Sequence, residues 1–221
     1  MTPAIEIKNG IFEYQNQKTV LNIKNFEIHK KDRVFLYGPS GFGKSTLLNL
    51  IAGVLTLKSG ELNVLGLEFH RLSQSKRDQI RGEKIGYIFQ IFNLLPYLSV
   101  KENILLPLVI NKKRKSEQAQ AELDELLSSL GLTDLVDKKV TELSIGQQQR
   151  VACARALIGN PEIIIADEPT SSLDEKNTHE FMDLLLRQQE KKGFALLFVS
   201  HDERLKKYFS KTISLPEINH V

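Results

Sequence analysis

The nine residues Gly38-Pro39-Ser40-Gly41-Phe42-Gly43-Lys44-Ser45-Thr46 restrict what this chain can fold into more than any other stretch does. They fit the pattern G-x-x-x-x-G-K-[ST], which carries meaning only between a strand and a helix. Both flanks are predicted. Val34-Phe35-Leu36-Tyr37 is an apolar run of buried-strand type, and Leu47-Leu48-Asn49-Leu50-Ile51-Ala52 is apolar at helical spacing until Gly53 closes it. In such a loop the glycines let consecutive backbone N–H groups turn inward as an anion nest, and the following helix adds its positive end. Lys44 is suited to reach the β- and γ-phosphates of a nucleoside triphosphate, and the Ser45 hydroxyl to ligate Mg²⁺. The competing explanation is a glycine-rich turn that precedes a helix by chance, and the flanking elements argue against it.

Bulk properties narrow the classes further. At 221 residues, with 41% hydrophobic and 26% charged residues, the chain is an ordinary globular protein of one large domain, or one domain with a subdomain. A net charge of +3 is too slight to imply nucleic acid, which shows as a concentrated basic face. Lys112-Lys113-Arg114-Lys115 is the one dense basic run and reads as a solvated loop before a helix. The single cysteine, Cys153, leaves no internal disulfide, fits a reducing compartment and lies in an apolar helical stretch suited to core packing. No apolar run approaches the roughly 20 residues that span a bilayer. Met1 to Lys8 carries Glu6 and lacks a signal-peptide core. The expectation is a cytoplasmic protein that meets any membrane through a partner.

Taken in order, Ala4 to Lys8 alternates as a half-buried strand, Asn9-Gly10 reads as a turn, and Ile11 to Tyr14 continues the strand. Val20 to Ile28 alternates again, so the chain is expected to open as a small antiparallel sheet. Tyr14 lies on that sheet, before the polar segment Gln15 to Lys18, either as an edge aromatic or as a stacking platform. Ser59 to Val64 reads as a turn and strand, Ser73 to Gly82 as a polar stretch, and Lys84 to Gln90 as a strand ending in glutamine. Asn93 to Ile110 is apolar but broken by Pro96 and Pro107, which suggests loop and short helix. Its apolar groups are either a docking surface or part of the local core. Ser116 to Leu130 is an amphipathic helix with Ala119, Leu123, Leu126, Leu127 and Leu130 on one face, Ser116 as its cap and Gly131 at its end.

Three further stretches carry chemistry. Leu143-Ser144-Ile145-Gly146-Gln147 opens a helix that runs to Ile158 and stops at Gly159-Asn160-Pro161. Ser144 and Gln147 have capping-box spacing, and the same helix end can hold a phosphate. Glu162 to Ala166 is a buried parallel-type strand ending in Asp167 and Glu168, at the strand end where α/β proteins place ligand chemistry. Asp167 is suited to hold Mg²⁺ through water and Glu168 to orient and deprotonate an attacking water. Ser171-Ser172-Leu173-Asp174 follows, then a helix around Phe181 to Leu186. Phe194 to Val199 is one more buried strand, with His201 near its end, and Thr212 to Leu215 a weak one. A histidine there is structural or senses a γ-phosphate.

This series of motifs resembles the ATPase subunit of an ABC (ATP-binding-cassette) system over essentially the whole chain. Gly38 to Thr46 matches Walker A, Gln90 the Q-loop and Leu143 to Gln147 the signature. Ile163 to Glu168 matches Walker B, Ser171 to Asp174 the D-loop, and His201 the switch histidine. The resemblance implies an α/β fold: a RecA-like P-loop core with a mainly parallel sheet, an N-terminal antiparallel β-subdomain and a helical signature subdomain. It also implies one domain over 1–221, with the β and Walker A core to about 90, the helical subdomain to about 158, and Walker B and switch after it. ATP and Mg²⁺ are the implied ligands. Gly38, Pro39, Ser40, Gly41, Phe42, Gly43, Lys44, Ser45 and Thr46 would bind nucleotide, with Tyr14 stacked on adenine. Asp174 would also bind nucleotide, and Ser144, Gly146 and Gln147 would complete the site from a second copy in a head-to-tail dimer. Glu168, His201 and Gln90 take the catalytic roles, and Ser45, Gln90 and Asp167 the metal. A membrane permease is implied to dock near Gln90, holding the protein at the inner face of the membrane. Tyr87 to Pro96, with Val100 to Ile104, is similar to the branch that serves lipoprotein release and macrolide or peptide efflux. Three sites depart from the family: Ile145 for a signature glycine, Val140 for a proline, and Lys31-Asp32 for a glycine-acidic turn.

Overall fold

The computed structural model describes residues 2–15, 18–111 and 116–221, with residue 116 as backbone only. The basic run Lys112 to Lys115, the middle of the Gln15–Lys18 segment and the Ser116 cap lie outside the described residues. The elements in chain order are β1 (Ile5–Glu13), β2 (Thr19–Ile28), β3 (Arg33–Tyr37), α1 (Lys44–Ile51), β4 (Ser59–Val64), β5 (Leu67–Glu68) and α2 (Gln74–Lys84). Next come β6 (Ile85–Ile88), α3 (Val100–Asn111), α4 (Ser116–Ser129), α5 (Ile145–Leu157) and β7 (Ile163–Asp167). The chain continues with α6 (Glu175–Lys192), β8 (Ala195–Val199), β9 (Lys211–Ser214) and α7 (Leu215–Ile218). Two compact units result: one runs through Arg81 and resumes at Phe194, and the other is Gly82–Gly193.

In the first unit β1 pairs antiparallel with β2 and β4, and β4 with β5, to give the sheet order β2-β1-β4-β5. The pairs Ile5↔Ile28, Ile7↔Leu62 and Phe12↔Leu21 set the register by turning apolar residues to one face. Asn9-Gly10 is not a turn. Asn9 sits at φ 48 within a continuous β1, and the pairing with β4 slips between Lys8 and Ile11, so the extra residue is absorbed as a bulge. Opposite it Gly60 is obligatory: its φ is +90, and a Cβ would lie 2.1 Å from the Asn9 carbonyl oxygen. The same unit holds β3 between β8 and β9, all parallel, with Phe35↔Phe198 and Leu36↔Ile213 in register. Phe35, Phe198 and Phe209 form an aromatic trio, with ring centroids 5.2–6.2 Å apart.

The polar stretch from Ser73 to Gly82 is helical, as α2. Only Arg77 and Ile80 of this helix are buried, too few to mark an apolar face. Arg77 explains why it docks. Its guanidinium donates to the carbonyls of Gly53 (3.1 Å) and Leu72 (2.6 Å) and to Gln74 Oε1 (2.6 Å), closing the end of α1. Arg77→Ala leaves those acceptors without their charged donor, and is expected to cost roughly 2–4 kcal/mol in urea unfolding. Arg77→Lys, lacking the fork, should recover little of it.

The second unit places the parallel pair β6–β7, registered Ile85↔Ile163, against α5. Gly86 allows this approach, since a Cβ there would lie 2.1 Å from the Ala156 carbonyl oxygen. The 93–110 stretch forms a longer helix than its prolines suggest, because α3 carries through Pro107 to Asn111. It opens with a capping box: Ser99 N–H donates to Glu102 Oε2 (2.8 Å) and Glu102 N–H to Ser99 Oγ (3.2 Å). Buried Asn103 then holds the preceding loop through Leu95 N–H (2.8 Å) and the carbonyls of Leu95 and Ser99 (3.1 and 3.0 Å). Leu123, Leu126 and Leu127 on α4, and Leu130 just past its end, are buried as their spacing predicts, and Gly131 follows at φ 65. Cys153 is buried in α5, where desolvation pushes its thiol up to about 12 and leaves it a packing residue. The fold is therefore α/β, with the expected antiparallel sheet, parallel strands and helical part. Among the described residues no helix is long and apolar enough to cross a membrane.

Candidate functional site

The phosphate loop leaves β3 and enters α1 with two left-handed glycines, Gly41 at φ +83 and Gly43 at φ +95. Gly43 is the N-cap of α1, and its missing side chain is needed twice over. The conformation disfavours a Cβ, and one built there would lie 2.7 Å from Leu21 Cδ2. Above Gly41 there is open space, with nothing within 4 Å of the position of a Cβ. Lys44 folds its ammonium onto the loop's own carbonyls, Gly38 at 2.7 Å and Pro39 at 3.1 Å. Ser45 is exposed, Thr46 is buried, and Phe42 is half-exposed at the loop tip. Tyr14 shares a 3.2 Å hydrogen bond with Thr46 Oγ1 and stands edge-on to Phe12 at 4.9 Å, with 41% of its surface open. Its hydroxyl is thus tied to the end of the loop while the ring stays part-exposed.

In the same unit Ser200 is buried at the end of β8, and its N–H donates to the Leu36 carbonyl (3.2 Å). Its hydroxyl accepts from the N–H of Asp202, so the intervening His201 is held out as an exposed side chain. Arg204 donates to both Asp202 oxygens and holds that carboxyl below its usual range.

The second unit carries the remaining candidates. Strand β6 ends at Ile88, so Gln90 stands two residues beyond it, exposed in a bend. Strand β7 ends at Asp167, whose Oδ2 accepts from Tyr87 O–H at 3.3 Å. Burial, then the Asp167 charge, keeps the Tyr87 phenol far above its ordinary range, so it remains a donor. Glu168 is buried and adopts φ 48, a left-handed conformation rare for a side chain of this size. Its carbonyl accepts from Ser171 N–H at 3.2 Å, which makes the post-strand segment a tight turn. Strain of this kind persists where surrounding structure enforces it, often at functional sites.

Ser144 caps α5 in the predicted way: Gln147 N–H donates to Ser144 Oγ (3.3 Å) and Ser144 N–H to Gln147 Oε1 (3.0 Å). Ile145, the departure from the family glycine, is the first residue of the helix and 53% exposed. Gly146 lies against α6, where a Cβ would sit 3.0 Å from Asn177 Oδ1. Asn177 in turn donates its N–H and Nδ2 to Asp174, both at 2.8 Å, and these bonds lower the Asp174 carboxyl below its usual range. The start of α5 and the start of α6 therefore meet through Gly146 and Asn177. Lys31 also departs from the family, and it sits at φ 68, the conformation that explains why glycine is usual there.

Two residues escaped sequence reasoning. Gln149 is fully buried and its amide donates to the Pro169 carbonyl, tying α5 to the turn after Glu168. Arg155, on the same helix, donates to the Asn93 carbonyl at 2.6 Å and to that of Phe92, bracing the loop beyond Gln90. Arg155 interrupts the apolar run Val151 to Ile158, which was the available signal, whereas Gln149 stands in the polar run Gln147 to Arg150 and gave none.

Left-handed glycines, a lysine on the loop and an exposed hydroxyl at a helix start suit a nucleoside triphosphate and its cation. Among the described residues no group of three or more His, Cys, Asp or Glu could hold a metal alone. The donors instead suit Mg²⁺ bound jointly by protein and phosphate. This fold and this loop define a P-loop nucleotide hydrolase. The sequence model described as ABC transporter matches residues 21–171. The chain belongs to the ABC transporter family and is an ATPase of that family.

Particular relatives sharpen this. The chain is 37% identical to the lipoprotein-releasing system ATP-binding protein LolD of Francisella tularensis subsp. holarctica (strain OSU18), over 96% of this chain and 93% of that one. It is 41% identical to the uncharacterized ABC transporter ATP-binding protein YvcR of Bacillus subtilis (strain 168), covering 86% and 74%. Among solved structures, the dimeric bacterial ABC transporter cassette MJ0796 is similar at a TM-score of 0.84 and 36% identity, covering 95% and 93%. The post-hydrolysis MJ0796 dimer bound to ADP and Pi is similar at 0.83 and 35%, with the same coverage.

Proposed function

We propose that the protein is the ATP-hydrolysing subunit of an ABC membrane complex of the lipoprotein-release, macrolide or peptide efflux type. The likeness to LolD over 96% of the chain is the observation that carries this reading. The chain works as one ATPase domain at the inner face of a membrane, in two copies, as the dimeric MJ0796 cassette suggests, and the copies close head to tail on ATP. The loop Gly38 to Thr46 holds the phosphates through backbone N–H groups and Lys44, and Tyr14 stacks on the base. Ser45, Gln90 and Asp167 would hold Mg²⁺, which would supply charge to offset that of the phosphates. Glu168 accepts the proton of the attacking water, and His201 donates a hydrogen bond to the γ-phosphate. Ser144, Gly146 and Gln147 act on the nucleotide of the second copy, and Asp174 also binds nucleotide. Capping and phosphate binding are compatible, because the exposed Ser144 hydroxyl keeps a free O–H.

Closure drives a permease that docks on the segment after Gln90. Phe89 just before Gln90, Ile91 and Tyr97 after it, and Val109 and Ile110 on α3 are exposed, up to 80% open at Ile91. The test is to trap the Glu168→Gln form with ATP in detergent-solubilised membranes and identify what co-purifies. A membrane subunit with a large extracytoplasmic domain is the expected result. Recovery of only soluble proteins, ribosomes or nucleic acid would replace this reading with a cassette that works away from transport. Ile145 favours one other reading, a regulatory module with weak hydrolysis, and Mg²⁺-dependent turnover lost in Glu168→Gln would exclude it.

A further inference from the structure

The segment after β9 touches the phosphate loop at both of its ends. At the front, a Cβ built on Gly38 would lie 3.1 Å from Pro216 Cδ and 3.3 Å from Leu215 Cβ, so α7 packs on the first glycine. At the tip, Asn219 Nδ2 donates to the Val20 carbonyl at 3.0 Å and to the Phe42 carbonyl at 3.4 Å, while Asn219 Oδ1 accepts from Asn22 N–H at 2.7 Å. One side chain thereby joins the loop tip to β2. Val20 reaches the loop as well, since its carbonyl lies 3.3 Å from where a Gly43 Cβ would be. The segment is anchored beyond the loop too. His220 N–H donates to the Asn22 carbonyl (2.9 Å), and Asn22 Nδ2 donates to the His220 carbonyl (3.2 Å). Lys18, Thr19, Val20, Gly41, Phe42 and Asn219 line a cavity of about 380 Å³ between these parts.

We propose that Asn219 is a positioning residue for ATP: it holds the loop tip at the separation from β2 where the N–H groups of Gly41 to Gly43 converge on phosphate. The proposal rests on the reading of this loop as the ATP site. The physical need is clear from the backbone. Gly41 and Gly43 are left-handed on either side of an exposed Phe42, outside any ladder, so the tip has few internal restraints. A side chain bonded to β2 and to the tip orders it before ligand arrives, and pre-organisation of this kind appears as affinity.

The test measures Mg²⁺-ATP turnover of the full chain against ATP concentration, with nucleotide-free thermal unfolding alongside. Asn219→Ala is expected to raise KM roughly 3- to 10-fold, the worth of one or two hydrogen bonds, with kcat within about twofold. Asn219→Leu keeps the bulk, makes none of the three bonds, and should show the same rise; it decides the matter if the alanine variant unfolds early. Asn22→Ala removes a tether of the segment yet leaves the Asn22 N–H and all three Asn219 bonds, and should leave KM unchanged. An unchanged KM in both Asn219 variants, or an equal rise in Asn22→Ala, overturns the proposal. Lys44→Ala run in parallel separates the two levels. If that variant keeps full ATP affinity, the underlying loop reading fails; if it loses affinity while the Asn219 variants do not, the positioning role alone fails.

Discussion

Glu168→Gln is expected to lower ATP turnover by about 10²- to 10³-fold, within the range a positioned general base contributes. The substitution is isosteric, so the buried side chain and the φ 48 backbone can persist while proton acceptance is lost. The Ser171 N–H bond to the Glu168 carbonyl belongs to the main chain and is retained. Phosphate release should therefore fall without a matching fall in ATP affinity. An ATP-bound species at twice the mass of one chain should then accumulate in size-exclusion light scattering. Turnover near the wild-type rate would remove Glu168 from the base role and return it to the status of a strained turn residue.

Lys44→Ala should act on binding instead. The ammonium rests on the Gly38 and Pro39 carbonyls at 2.7 and 3.1 Å, so the loop already holds its cation against the site. A charged hydrogen bond contributes about 1.5–3 kcal/mol, which corresponds to a loss of roughly 10- to 150-fold in ATP affinity. The glycine conformations do not depend on that side chain, so nucleotide-free unfolding should change little. Isothermal titration with ATP and Mg²⁺ distinguishes the outcomes, and unaltered affinity would count against the phosphate-loop assignment.

Much of this was legible because local chemistry decides it. The strand, glycine loop and helix around Lys44 follow from apolar period and from the left-handed backbone that only glycine adopts freely. The Ser144–Gln147 cap forms as its spacing requires, because both bonds lie within one turn of helix. Asn9-Gly10 misled for the opposite reason. The pair favours φ > 0 in a turn or a bulge alike, and pairing with β4 across Gly60 selected the bulge. Helix α2 was hidden because a single buried arginine anchors it where an apolar stripe would ordinarily show. The length of α3 was hidden by Pro107, although the Ser99–Glu102 box announced its start.

What the amino-acid sequence determined alone was the family, the order of its motifs and the chemical type of each group, since these reside in residue identity and short spacing. Tertiary structure alone decided which partners those groups keep. Tyr14 meets Thr46 across 32 residues, Gln149 reaches Pro169 across 20, and Asn219 reaches Phe42 across 177. No local pattern encodes such pairs. They exist because folding a sheet or packing a helix brings distant backbone carbonyls and side chains into one place, where burial obliges polar groups to find hydrogen-bond partners.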